Sequence, residues 1–154
     1  MSKLDQIDKK ILNRLQEDSR TTTKELSSEV GISTTPVYER VKRLEKDGYI
    51  KKYVALVDKD KVERELTVFC QVSLKSHLKK NIQQFQEHML GLPEVMECYH
   101  MAGNFDYLIK VMVRNMKEYQ KFVVEKLTTT DVIDHVQSLF VMGEVKQETK
   151  FPLK

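Results

Sequence analysis

Two cysteines, Cys70 and Cys98, are all that the 154 residues contain. That is too few for a disulfide framework, and one pair so far apart lacks metal-ligand spacing, so both read as reduced thiols of a cytoplasmic protein. Long apolar runs are missing as well. No stretch approaches the roughly 20 apolar residues that cross a bilayer, and Met1 to Lys10 is mostly polar or charged, unlike a secretory leader. Histidine is scarce: His77, His88, His100 and His135 fall on different predicted elements with no i, i+4 pair, which leaves no histidine-based metal motif. A glycine-rich phosphate loop is absent too. What remains is a chain whose 40% hydrophobic content suits one core or two small ones.

The net charge of +3 is small, but it is not spread evenly. Residues 1–32, 53–62 and 63–154 are each neutral, so the whole excess lies in residues 33–52, where Arg40, Lys42, Arg43, Lys46, Lys51 and Lys52 face Glu39, Glu45 and Asp47. A local basic patch is the electrostatic footprint expected for a polyanion.

The patch sits in a recognisable order of elements. Leu4, Ile7, Ile11, Leu12 and Leu15 make the apolar stripe of a first helix ending near Asp18. Thr22 with Glu25 predicts a capping box for a short second helix running to Val30. Gly31 then permits a left-handed turn before a third helix opens at Ser33 to Thr35, with Pro36 tolerated in its first turn. Val37, Val41 and Leu44 point inward and Gly48 ends the helix. Helix, short helix, glycine turn and helix is the order of a helix-turn-helix, whose second element enters the major groove. Ser33, Thr34, Thr35, Tyr38, Glu39, Arg40, Lys42 and Arg43 are the candidate DNA-contacting residues on that element: small hydroxyls approach bases closely, and arginine pairs with guanine or phosphate. Tyr49 to Val57 is expected to form a strand ribbon, a wing that adds Lys51 to the set.

From Leu66 onward the pattern changes. Leu66, Val68, Cys70, Val72 and Leu74 alternate with Thr67, Phe69, Gln71 and Ser73, the period of a strand. Leu78, Ile82, Phe85, Met89 and Leu90 then recur at helical spacing up to Gly91. Val95–Met101 and Phe105–Val113 read as strands joined by a tight turn at Gly103 and Asn104. Asn115 with Glu118 caps another helix, and Val132–Val145 reads as a last strand. The order β-α-β-β-α-β is that of a ferredoxin-like domain with both helices on one face of the sheet. Its other face, expected to carry Phe69 and Tyr107, is too apolar for water and predicts sheet-to-sheet dimerisation. The fold class is therefore α+β: a winged helix-turn-helix in residues 1–50, a ribbon and linker in 51–65, and a ferredoxin-like oligomerisation domain in 66–154.

Two stretches together resemble the Lrp/AsnC, or feast/famine, family of transcriptional regulators. "LDQIDKKILNRLQEDSRTTTKELSSEVGISTTPVYERVKRLEKDGYI" resembles its DNA-binding half, and "GNFDYLIKV" with "FVMGEVK" resembles its sensing half. The resemblance implies dimers that bind double-stranded DNA and assemble into larger rings, commonly octamers. It also implies an amino acid or related metabolite as effector, with no cofactor. Family effectors lie near the hairpin spanning Met101 to Tyr107, which points to Met101, Gly103, Asn104, Asp106 and Tyr107, and further to Thr128 and to Leu139, Phe140 and Val141. Gly103 matches the family glycine, and Asp106 with Tyr107 its Asp-Tyr pair. Asn104 stands where many relatives carry an acid, and "TTTD" at 128–131 replaces a common proline-glycine ending, so no particular amino acid carries over. From the residues alone, Asp106 has two readings, ligand contact or acceptor for turn N–H groups.

Two other classes fit parts of the sequence. Ferredoxin-like sheets also host enzymes, and Cys98 with His100 shares a strand face as a nominal thiolate pair; a strand-interior Cys beside a His is far more often packing. A winged helix serving as a protein-interaction module is distinguished from a DNA reader by salt dependence.

Overall fold

The structure, a computed structural model, describes residues 3–154. The chain divides into two compact units, one comprising residues up to Leu56 together with Val145–Lys154, the other Val57–Glu144. The partition expected from sequence placed everything after residue 65 in the second domain; the last ten residues instead belong with the helices.

The first unit contains α1 (Gln6–Glu17), α2 (Thr23–Val30) and α3 (Thr34–Lys46). Asp5 and Asp8 form a reciprocal capping box at the start of α1, satisfying N–H groups that have no partner inside the helix. Thr22 and Glu25 do the same for α2, and Gly31 closes it at φ 74, a backbone that a β-carbon disfavours. Ile11, Leu12, Leu26, Val37 and Leu44 form the core, with Leu4, Ile7, Leu15, Val41, Tyr49, Ile50 and Leu153 packed against it. The expected ribbon does not form within the chain. Ile50 N–H still donates to Leu44 O at 3.1 Å, but residues 51–57 have no strand partner and are exposed. A strand exists only by pairing, and one chain supplies no neighbour there.

The second unit contains β1 (Leu66–Leu74), α4 (Lys79–Leu90), β2 (Val95–His100), β3 (Tyr107–Val113), α5 (Met116–Glu125) and β4 (Ile133–Phe140), with short 3-10 turns at Asp60–Val62 and Leu127–Thr129. The sheet order is β2-β3-β1-β4 and every neighbouring pair is antiparallel, the ferredoxin-like arrangement. Val68, Cys70 and Val72 of β1 and Ile109, Val111 and Val113 of β3 face Phe85, Met89, Tyr119 and Phe122 of the two helices. β4 is shorter than predicted because β1 begins at Leu66; beyond the bond from Val141 N–H to Thr67 O no partner remains. The hairpin between β2 and β3 is a six-residue loop rather than a tight turn, closed by Met101 N–H donating to Asp106 O at 2.8 Å.

Tyr107 corrects an expectation. It shares parity with Ile109 and Val111, is 1% exposed, and its ring lies 4.4 Å from that of Phe85 on the helix side. Lys110 is the one polar residue of β3, flanked by Leu108 and Met112 on its own parity, so alternation marks its faces weakly; the register Val72 to Tyr107 fixes them. The open face carries Phe69, Leu108, Met112 and Leu139 instead.

Candidate functional site

The third helix presents its first turn to solvent. Ser33, the residue before it, makes no side-chain cap bond, and Ser33, Thr34, Thr35, Tyr38 and Glu39 are all exposed. Hydroxyls and unbonded helix N–H groups thus face outward together, a combination that favours anionic oxygens. Further along, Lys42 lies over the Tyr38 ring at 5.7 Å and pairs with Glu45 at 2.9 Å. Glu45 also accepts from the Tyr53 hydroxyl at 2.9 Å; burial together with that carboxylate pushes the Tyr53 phenol up to about 12. Lys46, Lys51 and Lys52 are exposed and form no ion pair among the described residues.

Arg40 and Arg43 behave differently. Arg40 reaches Asp5 at 2.6 Å and Asp8 at 2.8 Å, while Arg43 Nη2 holds both Asp8 oxygens at 2.6 Å. Asp8 is 1% exposed. Burial pushes its carboxyl up, but Arg43, Arg40 and the Asp5 N–H outweigh that and leave it below its ordinary value. Part of the basic excess of residues 33–52 is therefore spent inside the fold, against acids from residues 1–32. Sequence reasoning missed these carboxylates; the Asp-x-x-Asp spacing at the start of an apolar-periodic run was the signal for the capping box, but nothing local announced a partner more than thirty residues away.

The sensing candidates fall into separate groups. In the hairpin, Met101, Gly103 and Asn104 are exposed, whereas Tyr107 is buried, accepts from Gln86 Nε2 at 3.1 Å and stacks on His100 at 4.7 Å. Asp106 is committed structurally: its Oδ2 accepts from Leu74 N–H at 2.7 Å and its Oδ1 meets His77 Nε2 at 2.7 Å. Burial pushes Asp106 up, but the Leu74 N–H and His77 prevail and hold the carboxyl below the usual range. His77 had no sequence signal, since a strand and a helix separate it from the hairpin. Thr128 is exposed and donates to Val123 O at 2.8 Å. Leu139 and Phe140 are half-exposed and Val141 is partly buried.

One chain does not bring these together. Tyr107 pairs with Val72 and Phe140 with Val68, so the hairpin and residues 139–141 are separated by four residues along β1, about 13 Å. Catalytic geometry is not evident at Cys98 and His100 either: burial pushes the Cys98 thiol up, the opposite of an activated nucleophile.

A helix-turn-helix followed by a ferredoxin-like unit is the order of a class of transcriptional regulators. Residues 4–51 match a winged helix-turn-helix DNA-binding family, and residues 67–151 match the Lrp/AsnC ligand binding domain. The chain belongs to the Lrp/AsnC family. It is 39% identical over 151 residues to the leucine-responsive regulatory proteins of Klebsiella pneumoniae and Escherichia coli, covering 98% of this chain and 92% of theirs. Among solved structures, a transcriptional regulator from Neisseria meningitidis in complex with L-Met superposes with a TM-score of 0.93 at 35% identity, covering 97% of both chains. An AsnC family regulator from Agrobacterium tumefaciens gives 0.92 at 38% identity, again with 97% of both covered. This chain is accordingly a DNA-binding transcriptional regulator with a ligand-binding domain, and not an enzyme. No helix among the described residues is long and apolar enough to cross a membrane.

Proposed function

We propose that the first turn of α3 reads duplex DNA and that the hairpin of the four-stranded unit senses an amino acid. The observation that carries the first part is the exposed, uncapped entry to α3, with three hydroxyls and Tyr38 presented together. Ser33, Thr34, Thr35, Tyr38 and Glu39 approach base edges; Lys42 and Lys51 meet phosphates; Arg40 and Arg43 fix α3 onto α1 instead of contacting bases. Salt dependence tests this reading. Log affinity for duplex DNA falls linearly with log salt if phosphates are neutralised, whereas a protein-interaction module shows no such slope.

An amino acid is supported as effector by the L-Met bound to the Neisseria meningitidis regulator and by the leucine-responsive name of the enteric relatives. The exposed backbone of residues 101–104 supplies groups for the charged ends of a zwitterion. Asp106 acts by pinning that loop to β1. The separation of the hairpin from residues 139–141 supports a site completed by a second chain. Dimers form through the apolar sheet face around Phe69, and dimers assemble further into octamers in the cytoplasm. A thermal-shift panel of the twenty amino acids tests the sensing half: a ligand at 100 times its dissociation constant stabilises the native state by about 2.7 kcal/mol. A flat panel from folded protein removes the amino-acid assignment.

A further inference from the structure

One side of α1 is occupied by residues 150–154, and the contact has a repeating form. The Gln16 amide bonds both main-chain groups of Phe151, accepting from its N–H and donating to its carbonyl at 3.1 Å each. Asn13 treats Leu153 in the same way, accepting at 2.9 Å and donating at 3.0 Å. The Lys9 ammonium donates to the Lys154 carbonyl, and the Lys150 ammonium pairs with Glu17. Leu153 packs against the three-helix core.

A carboxamide has the donor and acceptor of a peptide unit side by side, so two of them a turn apart read main chain rather than side-chain identity. Pro152 fits this scheme. It lies between the two residues whose N–H groups are used, where its own missing donor costs nothing, and it biases Phe151 toward extended backbone. Meanwhile α1, through Asp5 and Asp8, holds the arginines of α3. The chain passes between the two units twice, after Leu56 and after Glu144. The second passage ends in this seat.

We propose that Asn13 and Gln16 form a main-chain-reading site on α1 for residues 150–154 of the same chain. This makes the second passage a releasable tether from the ligand-binding unit, whose release loosens α1 and lowers DNA affinity. The last clause rests on the reading of α3 as the DNA-contacting element. The test uses two proteins, one lacking residues 145–154 and one full-length with Asn13→Ala and Gln16→Ala. Amide hydrogen exchange and affinity for a random-sequence duplex pool are the readouts. In both variants α1 amides lose protection, amides of the four-stranded unit do not change, and DNA affinity drops about tenfold, the equivalent of about 1.4 kcal/mol of lost support for α3. A synthetic peptide, ETKFPLK, restores α1 protection to the shortened protein and not to one that also carries Asn13→Ala and Gln16→Ala.

Unchanged α1 protection in the double variant overturns the site. Lost protection with unchanged DNA affinity overturns the tether. Protection in the unaltered protein that disappears on dilution assigns the occupant to a second copy and overturns the same-chain assignment. If the unaltered protein shows no affinity for duplex DNA, the DNA reading fails, while hydrogen exchange and the peptide still decide the seat.

Discussion

Asp8 joins the first helix of the DNA-binding unit to the third. It caps α1, lies buried, and neutralises Arg43 and Arg40 from α3. Removing its carboxylate breaks the capping box and both arginine bonds, but Arg40 keeps Asp5 and both arginines reach water, so Asp8→Ala is expected to cost about 2 kcal/mol, measured by urea unfolding at neutral pH. Because the folded carboxyl titrates below its ordinary value of 3.8, the unfolded state binds the proton first as pH falls. The stabilisation is complete above the unfolded value and disappears as pH drops below 3.8 through the folded one. Asp8→Asn should flatten that acid limb while lowering stability at pH 7. Two of the four basic positions of α3 should separate by role. Lys42→Ala is expected to reduce the salt slope of DNA binding by about one with an unchanged melting temperature, and Arg43→Ala to lower the melting temperature. Equal melting temperatures for both would return Arg43 to a purely surface role.

Elements that carry their own instructions were readable from the chain. The Thr22–Glu25 box, the Asn115 cap and the left-handed Gly31 all depend on residues within a turn of each other. Gly31→Val should therefore cost about 1 kcal/mol or more from backbone strain alone, seen as a lower melting temperature of the helical unit, since a β-carbon there meets no neighbour. Elements that depend on a partner were read less well. The ribbon at 51–57 found no strand to pair with, β4 stopped where β1 stopped, and β3, marked on one face only by Lys110, was oriented by its register with β1. That register turns Phe69 outward, and Phe69→Lys is expected to shift the protein toward monomer in sedimentation, with its sheet intact by circular dichroism.

Across the whole molecule, the sensing assignment predicts that Asp106→Ala abolishes the thermal response to the effector while dimers persist; a normal response would move the site away from the hairpin. Its basis lies in bonds the sequence did not announce, from Asp106 to Leu74 and His77. The order of helices and strands and the two classes of unit follow from short-range periodicity, caps and turn residues, because each is decided by neighbours within a few positions, while the family follows from likeness to known sequences. Three features were settled by distant contacts instead: Arg40 and Arg43 turned inward to Asp5 and Asp8, Tyr107 was placed in the core, and residues 150–154 were brought back onto α1. Each joins groups more than twenty residues apart, where the energy of a contact depends on which surfaces the fold sets face to face, and no local pattern encodes that choice.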